Sequence, residues 1–233
     1  MKKLLARGGI EIVAVFIGIS GGLWSEKKIE LNKTIKAEKV ALKSIRDEFV
    51  SDSTSLFKIV KSIENEQENI SNLLKHISGD TTLSITKLNA LIFDMMYFAY
   101  LTYDNSVYEG LIKGAGKKII QEDSVSSAIS SIYESTYKHL GNMFDMQKDM
   151  IATRTYDAFI ESGGYLDTKR FSISKSLNLN QEEMFSEALR KKKFVNQISF
   201  HYDTNFFVKN QYKWALGKVV VAIGIIDNYL DNS

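Results

Sequence analysis

The 233-residue chain contains no cysteine and no proline. Without cysteine there is no disulfide framework, no thiolate nucleophile and no thiolate-bound zinc. At the usual frequency of about 5% a chain of this length carries roughly ten prolines. Proline breaks helices and marks turns and sheet edges, so its absence predicts long uninterrupted helices and an all-α fold. Only three histidines are present, His76, His139 and His201, too far apart in sequence to suggest a metal site. A net charge of +2 gives no whole-molecule attraction to nucleic acid. No glycine-rich phosphate loop follows a strand, and neither G-x-S-x-G nor H-E-x-x-H occurs. Enzymatic activity, a cofactor and a bound metal are therefore not expected.

What the chain does have is an apolar N-terminal stretch. Residues 9–24 are apolar apart from Glu11 and Ser20, and with Leu4 to Ala6 the segment reaches about 21 residues. At about 1.5 Å per residue that is roughly 30 Å, the hydrocarbon thickness of a bilayer. The pattern predicts a transmembrane helix from about Gly8 to Trp24, an anchor over residues 1–24 and a helical body over 25–233. The rival reading is a cleaved signal peptide, with Lys2 and Lys3 as its basic start and Gly18-Ile-Ser20 as its small-residue site. Glu11, inside the would-be hydrophobic region, speaks against it.

At 100° per residue, Arg7, Glu11, Ala14, Gly18 and Gly22 share one face. Ala14, Gly18 and Gly22 form two overlapping small-x-x-x-small steps that let helices approach closely in lipid, which predicts a homo-oligomer. Arg7 and Glu11, four residues apart, can pair within the helix and reduce the cost of placing either near lipid. Lys27, Lys28, Lys33, Lys36 and Lys39 outnumber the basic residues before the span, so the body is expected on the cytoplasmic side. The same lysines suit anionic membrane lipid, or simply a solvated helix face.

From Ser25 to Ile77 there is no glycine, and apolar residues recur at every seventh position: Ile35, Leu42, Phe49, Leu56, Ile63, Ile70 and Ile77. Such a run predicts one long helix with a heptad seam over 25–77. Three residues after each of these positions, Ile45, Ile59 and Leu73 alternate with the acids Glu38, Asp52 and Glu66. A parallel coiled coil would bury those acids. A helix packing a narrow face onto its own domain leaves them at the edge in water, and this intramolecular bundle is the expectation. Ser51-Asp-Ser-Thr-Ser55 is the expected place for a kink.

Residues 78–233 read as further helices. Ser78-Gly-Asp80 ends the first, and Thr81 or Thr82 is expected to cap a second that carries Leu83, Leu88, Leu91, Ile92, Met95, Met96 and Phe98. Ser106-Val-Tyr-Glu109 has capping-box spacing and opens a short helix that stops at Gly114-Ala-Gly116. From Asp123 or Ser124 a helix carries Val125, Ile129, Ile132, Leu140, Phe144, Ile151 and Phe159 to Gly163-Gly164. Tyr165 to Leu179 reads as irregular or short-strand. Asn180 with Glu183 starts a last helical segment bearing Met184, Ala188, Val195, Ile198, Tyr202 and Phe206, with a break expected near Asp203-Thr-Asn205. Trp214 to Ile226 is too short between Lys218 and Asp227 for a second span and is expected to be a buried bundle helix. Arg190-Lys-Lys-Lys193 reads as a solvated helix face.

Glu11-Ile-Val-x-Val-x-Ile-Gly-Ile19 followed by Trp24-x-Glu26 resembles uncharacterised bacterial single-span proteins whose N-termini read G-E-I-x-L-V-x-I-G-I and then W-N-E. Tyr108-Glu-Gly-Leu-Ile-Lys-Gly114 and Ile119, with the following Ile132-Tyr133 step, resemble that family's Y-E-x-L-x-x-x-G motif and next helix. The Gly18 to Trp24 interval is several residues shorter here, and Gly21-Gly22 replaces longer apolar residues. The resemblance implies a single-pass protein of the bacterial inner membrane with a helical body. It brings no established activity or catalytic residues. The helical HEPN type of ribonuclease would need histidine four to six residues after an arginine, and Arg7, Arg46, Arg154, Arg170 and Arg190 all lack one.

Two non-enzymatic functions are left. One is a membrane-perturbing or pore-forming effector of bacterial antiviral defence, associating through Ala14, Gly18 and Gly22. The other is a membrane-tethered scaffold or sensor whose body recruits a cytoplasmic partner.

Overall fold

The computed structural model describes the backbone of residues 2–95, 97–114, 120–164 and 179–232, and their side chains except those of 2–25, 27, 112–114, 151–153 and 179–182. The described chain is all-helical. Eight α-helices follow one another: α1 Lys2–Ser78, α2 Ile85–Asp94, α3 Ser106–Gly114, α4 Asp123–Ser131, α5 Lys138–Lys148, α6 Tyr156–Glu161, α7 Leu179–Arg190 and α8 Lys192–Asn232. Two π-helical segments, Ile132–Tyr137 and Asp149–Thr155, join α4 to α5 and α5 to α6.

Freedom from proline and glycine lets α1 run past Ser51–Ser55 without interruption, so the expected break there does not occur. The hydroxyls of Ser53 and Thr54 turn back onto the Val50 carbonyl at 2.8 and 3.1 Å, keeping their polarity on their own helix. Gly79, at φ +91°, ends α1 in a left-handed conformation that glycine adopts without strain. The next helix starts later than Thr81 or Thr82 would give. The N–H groups of Asp80 and Thr81 both return to the Lys75 carbonyl, and Ser84 caps α2 by accepting from the Lys87 N–H at 3.3 Å. Ser106 lies inside α3 rather than ahead of it; Asp104 accepts its N–H at 2.8 Å, and Asn105 donates to Glu109 at 2.9 Å. At Gly163-Gly164 the stop occurs as the sequence suggests, with the Gly164 N–H on the Phe159 carbonyl at 2.9 Å. Residues 165–178, expected to be irregular, lie outside the described residues, as do Met96 and residues 115–119.

Ion pairs and hydrogen bonds fix α8 antiparallel to α1. Arg46 meets Asp227, Glu64 meets Lys213 and Gln67 meets Lys209, so numbers rise along one helix as they fall along the other. The buried face of α8 is Phe194, Ile198, His201, Asn205, Val208, Tyr212, Ala215, Val219, Ala222 and Ile226, alternating steps of four and three. That spacing needs a continuous helix, and α8 passes through Asp203-Thr-Asn205 unbroken. It also shifts the expected face: Tyr202 and Phe206 are exposed, whereas His201 and Asn205 are inside; on α7, Met184 is exposed as well. The Trp214–Ile226 segment is a bundle helix with one buried face, since Trp214, Val220 and Val221 stay exposed.

Along α1, Leu42, Phe49, Leu56, Ile63 and Ile70 of the heptad seam are buried. Ile35 is 37% exposed, and Ile77 is half-buried near the α1 terminus. Side chains pack into two separate clusters. The proximal core takes α1 from Leu42 to Ile63 with Tyr108, α4, the first π segment, Leu140 and α8 from Val208 onward. The distal core takes Ile70 and Leu73 with α2, Phe159, α7, Phe194 and Ile198.

Between residues 28 and 37 of α1 nearly every side chain is exposed. Lys28, Lys33 and Lys36 are exposed and Lys39 is half-buried, while the Lys27 side chain lies outside the description. Among the described residues no helix is long and apolar enough to cross a membrane. The side chains of Arg7, Glu11, Ala14, Gly18 and Gly22, and of the expected span as a whole, lie outside that description.

Candidate functional site: a ladder of buried acids

The acids expected at the edge in water are instead inside. Glu38, Asp52 and Glu66 are 1%, 6% and 8% exposed. The fourteen-residue spacing puts them on the seam of α1, and the bundle closes over that seam from two sides, so each must be given a donor or a countercharge. Each finds a different one. Glu38 accepts the backbone N–H of Gln121 at 2.7 Å, with Tyr229 beside it. Asp52 accepts the hydroxyl of Tyr137. Glu66 faces His201, with Oε1 3.0 Å from Nε2.

Asp52 belongs to the densest part. One turn earlier, Glu48 accepts the hydroxyl of Tyr133 at 2.7 Å. Tyr133 stacks on Tyr108 at 4.3 Å and stands edge-on to Tyr137 at 5.6 Å, and Tyr103 packs on Tyr137 at 4.4 Å. Phe49, fully buried, packs against both tyrosine rings, 5.4 Å from Tyr133 and edge-on to Tyr137 at 6.5 Å. Burial pushes the Asp52 carboxyl up to about 6, opposed by the Tyr137 hydroxyl and assisted by the charges of Glu48 and Asp104. Glu48 is raised as well, by burial first, against the pull of the Tyr133 hydroxyl. Both phenols are raised above their usual value by burial and by the carboxylates they donate to, so they remain donors at neutral pH.

The third rung is poorer. The Glu66–His201 contact is close but is not aligned as a hydrogen bond. Nδ1 of His201 is 3.5 Å from the Thr155 hydroxyl, which itself donates to the Met150 carbonyl. Gln147 and Asn205, both fully buried, have neither amide atom hydrogen-bonded. A buried polar group without a partner costs about 1–3 kcal/mol, so this layer weakens the fold where it sits.

Both π segments serve the ladder. The first carries Tyr133 and Tyr137, and the second ends on Thr155. Each contains a buried threonine whose hydroxyl donates to the carbonyl five residues back, Thr136 to Ser131 and Thr155 to Met150, both at 3.2 Å. Single π turns inside helices recur at functional positions. Here they lie in the run from α4 to α6, the third helical column beside α1 and α8, where polar side chains enter the core.

Comparisons with protein-family models, curated proteins and solved structures find no match. The ladder must be interpreted on its own geometry. Chemically it can hold and release protons, and it can set the strength of contact between helices. The described residues hold no cluster of three or more histidines and acids able to bind a metal. His76 and His139 have local partners, the Leu83 N–H at 3.2 Å and the Gln211 side chain at 3.0 Å. The signal that leads to His201 and Asn205 is the alternation of fours and threes along α8, hidden by the apolar residues Tyr202 and Phe206 just beside it. Tyr133 and Tyr137 are visible in sequence as aromatic residues, but nothing there ties them to Glu48 and Asp52.

Proposed function

We propose that this chain is a non-enzymatic, single-pass protein of the bacterial inner membrane, whose N-terminal helix self-associates under control of the helical body. The observation that carries this reading is the continuity of α1 from Lys2 to Ser78. One helix joins the apolar segment to the acid ladder, and from Ser25 to Ile77 it holds no glycine or proline that would act as a hinge. Ala14, Gly18 and Gly22 form the contact between copies, Arg7 and Glu11 lie at its edge, and Lys27 to Lys39 meet anionic lipid. In this reading the protein perturbs the bilayer or forms a pore when the body is triggered, as an effector of antiviral defence would.

The test is expression toxicity together with dye leakage from vesicles of bacterial phospholipid, using the full chain. Gly18→Leu with Gly22→Leu removes the close approach between helices and abolishes both, while leaving the helicity of the body intact. Full leakage from that variant, or a wild type that neither oligomerises nor leaks, overturns the reading.

A specific observation favours a second reading, the tethered scaffold. Phe57, Phe206 and Trp214 are exposed on the body, and each has a lysine ammonium over its ring, Lys61, Lys209 and Lys218 at 5.9, 5.4 and 6.0 Å. A basic and aromatic surface suits a cytoplasmic protein partner. Growth arrest that persists in the double leucine variant, but is lost with Phe57→Ser and Phe206→Ser, would favour it.

A further inference from the structure

We propose that the buried layer around Glu66 and His201 is a release plane, at which the distal part of the body opens as a unit while the proximal part stays folded. Four observations meet at that layer. The two hydrophobic cores share no residue, and on α1 the proximal one ends at Ile63 and the distal one begins at Ile70. On α8 the division falls between Ile198 and Val208. The core-facing residues of the interval are Glu66, Gln67, His201 and Asn205, all buried. From the third column come Gln147 and Thr155, 0% and 1% exposed, where the helix makes its second π segment.

The physical consequence follows from what such a layer can and cannot do. Apolar side chains that touch across a plane couple the two sides, because separating them exposes area to water. Polar side chains that are buried without hydrogen bonds do the reverse, because water admitted to the plane satisfies them. Opening here hydrates Gln147, Asn205 and the Glu66–His201 contact, so the distal core is released more easily than an apolar seam of the same size would allow. The first and second rungs behave differently. Glu38 and Asp52 each accept an aligned hydrogen bond, so opening there breaks a bond that the Glu66 layer does not have. The plane is therefore placed at one rung of three, on the side away from the N-terminus of α1.

This inference adds to the membrane reading the step that precedes helix association, and it is read from the amides of the body. Native-state hydrogen exchange of the full chain in detergent micelles reads it. The expected result is two classes of slow amide, those of α2, α7 and α8 up to Ile198 exchanging at least tenfold faster than those of α4 and α8 beyond Val208. In Glu66→Leu with His201→Leu and Asn205→Leu only Gln67, Gln147 and Thr155 stay polar in the plane, and the gap between the two classes shrinks the most. Asn205→Leu alone, which leaves the Glu66–His201 contact in place, closes part of the gap and covers the case in which the triple variant does not fold. Equal exchange in the two halves of the wild type, or a gap unchanged in both variants, overturns the proposal. Leakage measurements do not enter these outcomes, so failure of the plane and failure of the membrane reading are separate results.

Discussion

Asp52 shows how one buried acid is kept and what it costs. Its carboxyl is raised to about 6 in the folded chain, against about 3.8 when exposed. A raised acid binds its proton more tightly in the folded state, so the stability it contributes is complete below about pH 4 and is lost as pH rises through about 6. At neutral pH the folded chain carries a desolvated charge that the Tyr137 hydroxyl only partly offsets. Asp52→Asn keeps an acceptor for that hydroxyl and removes the charge. It is expected to stabilise the protein by on the order of 2 kcal/mol at pH 7, with the gain vanishing at pH 4. Urea unfolding of wild type and variant at the two pH values checks it. A gain of the same size at both would mean that the effect is packing rather than ionisation.

At the scale of the elements, the stretch 28–37 of α1 is the simplest to test, because nearly all of its side chains are exposed. Asn32 is exposed there, and proline at that position breaks the helix locally without touching either core. Asn32→Pro is expected to leave the body's unfolding midpoint within about 2 °C of wild type, since the helix break, worth about 3 kcal/mol, falls on a stretch that opens locally without opening either core. The same variant should lose leakage and toxicity under the membrane reading, because α1 no longer transmits a change in the body. How far these elements were legible follows one physical rule. The α1 seam could be read because its apolar residues hold a column through seven successive positions from Ile35 to Ile77, and the end at Ser78-Gly79 because glycine takes positive φ there. The α8 register could not, because the residues that face inward include a histidine and an asparagine while Tyr202 and Phe206 face out. The π segments have no sequence signature either, since a threonine bonding five residues back looks like any helical threonine. The acids were visible as a pattern, but their burial depends on Gln121, Tyr137 and His201, which come from elements far along the chain.

For the molecule as a whole, the question is whether its two cores form one cooperative unit. Phe185 is fully buried in the distal core and packs edge-on against Phe159 at 5.6 Å. Phe185→Ala removes a large side chain from a closed site, at a cost of about 3–5 kcal/mol. If the bundle were a single unit the whole transition would shift down together. With a polar layer between the cores, the loss falls on the distal side, and unfolding becomes biphasic. Trp214 reports on the proximal side, where it stands edge-on to His139 at 5.7 Å. The chain's other tryptophan, Trp24, can be replaced by phenylalanine to isolate that signal. On heating Phe185→Ala in the Trp24→Phe background, helical circular dichroism should fall first by the share of α2, α7 and the start of α8. Trp214 fluorescence should change only at the higher transition, near the midpoint of the parent. Coincident transitions by both probes would mean that the distal core holds the proximal one in place, and that a signal received at the far end of the body reaches α1 only by unfolding all of it.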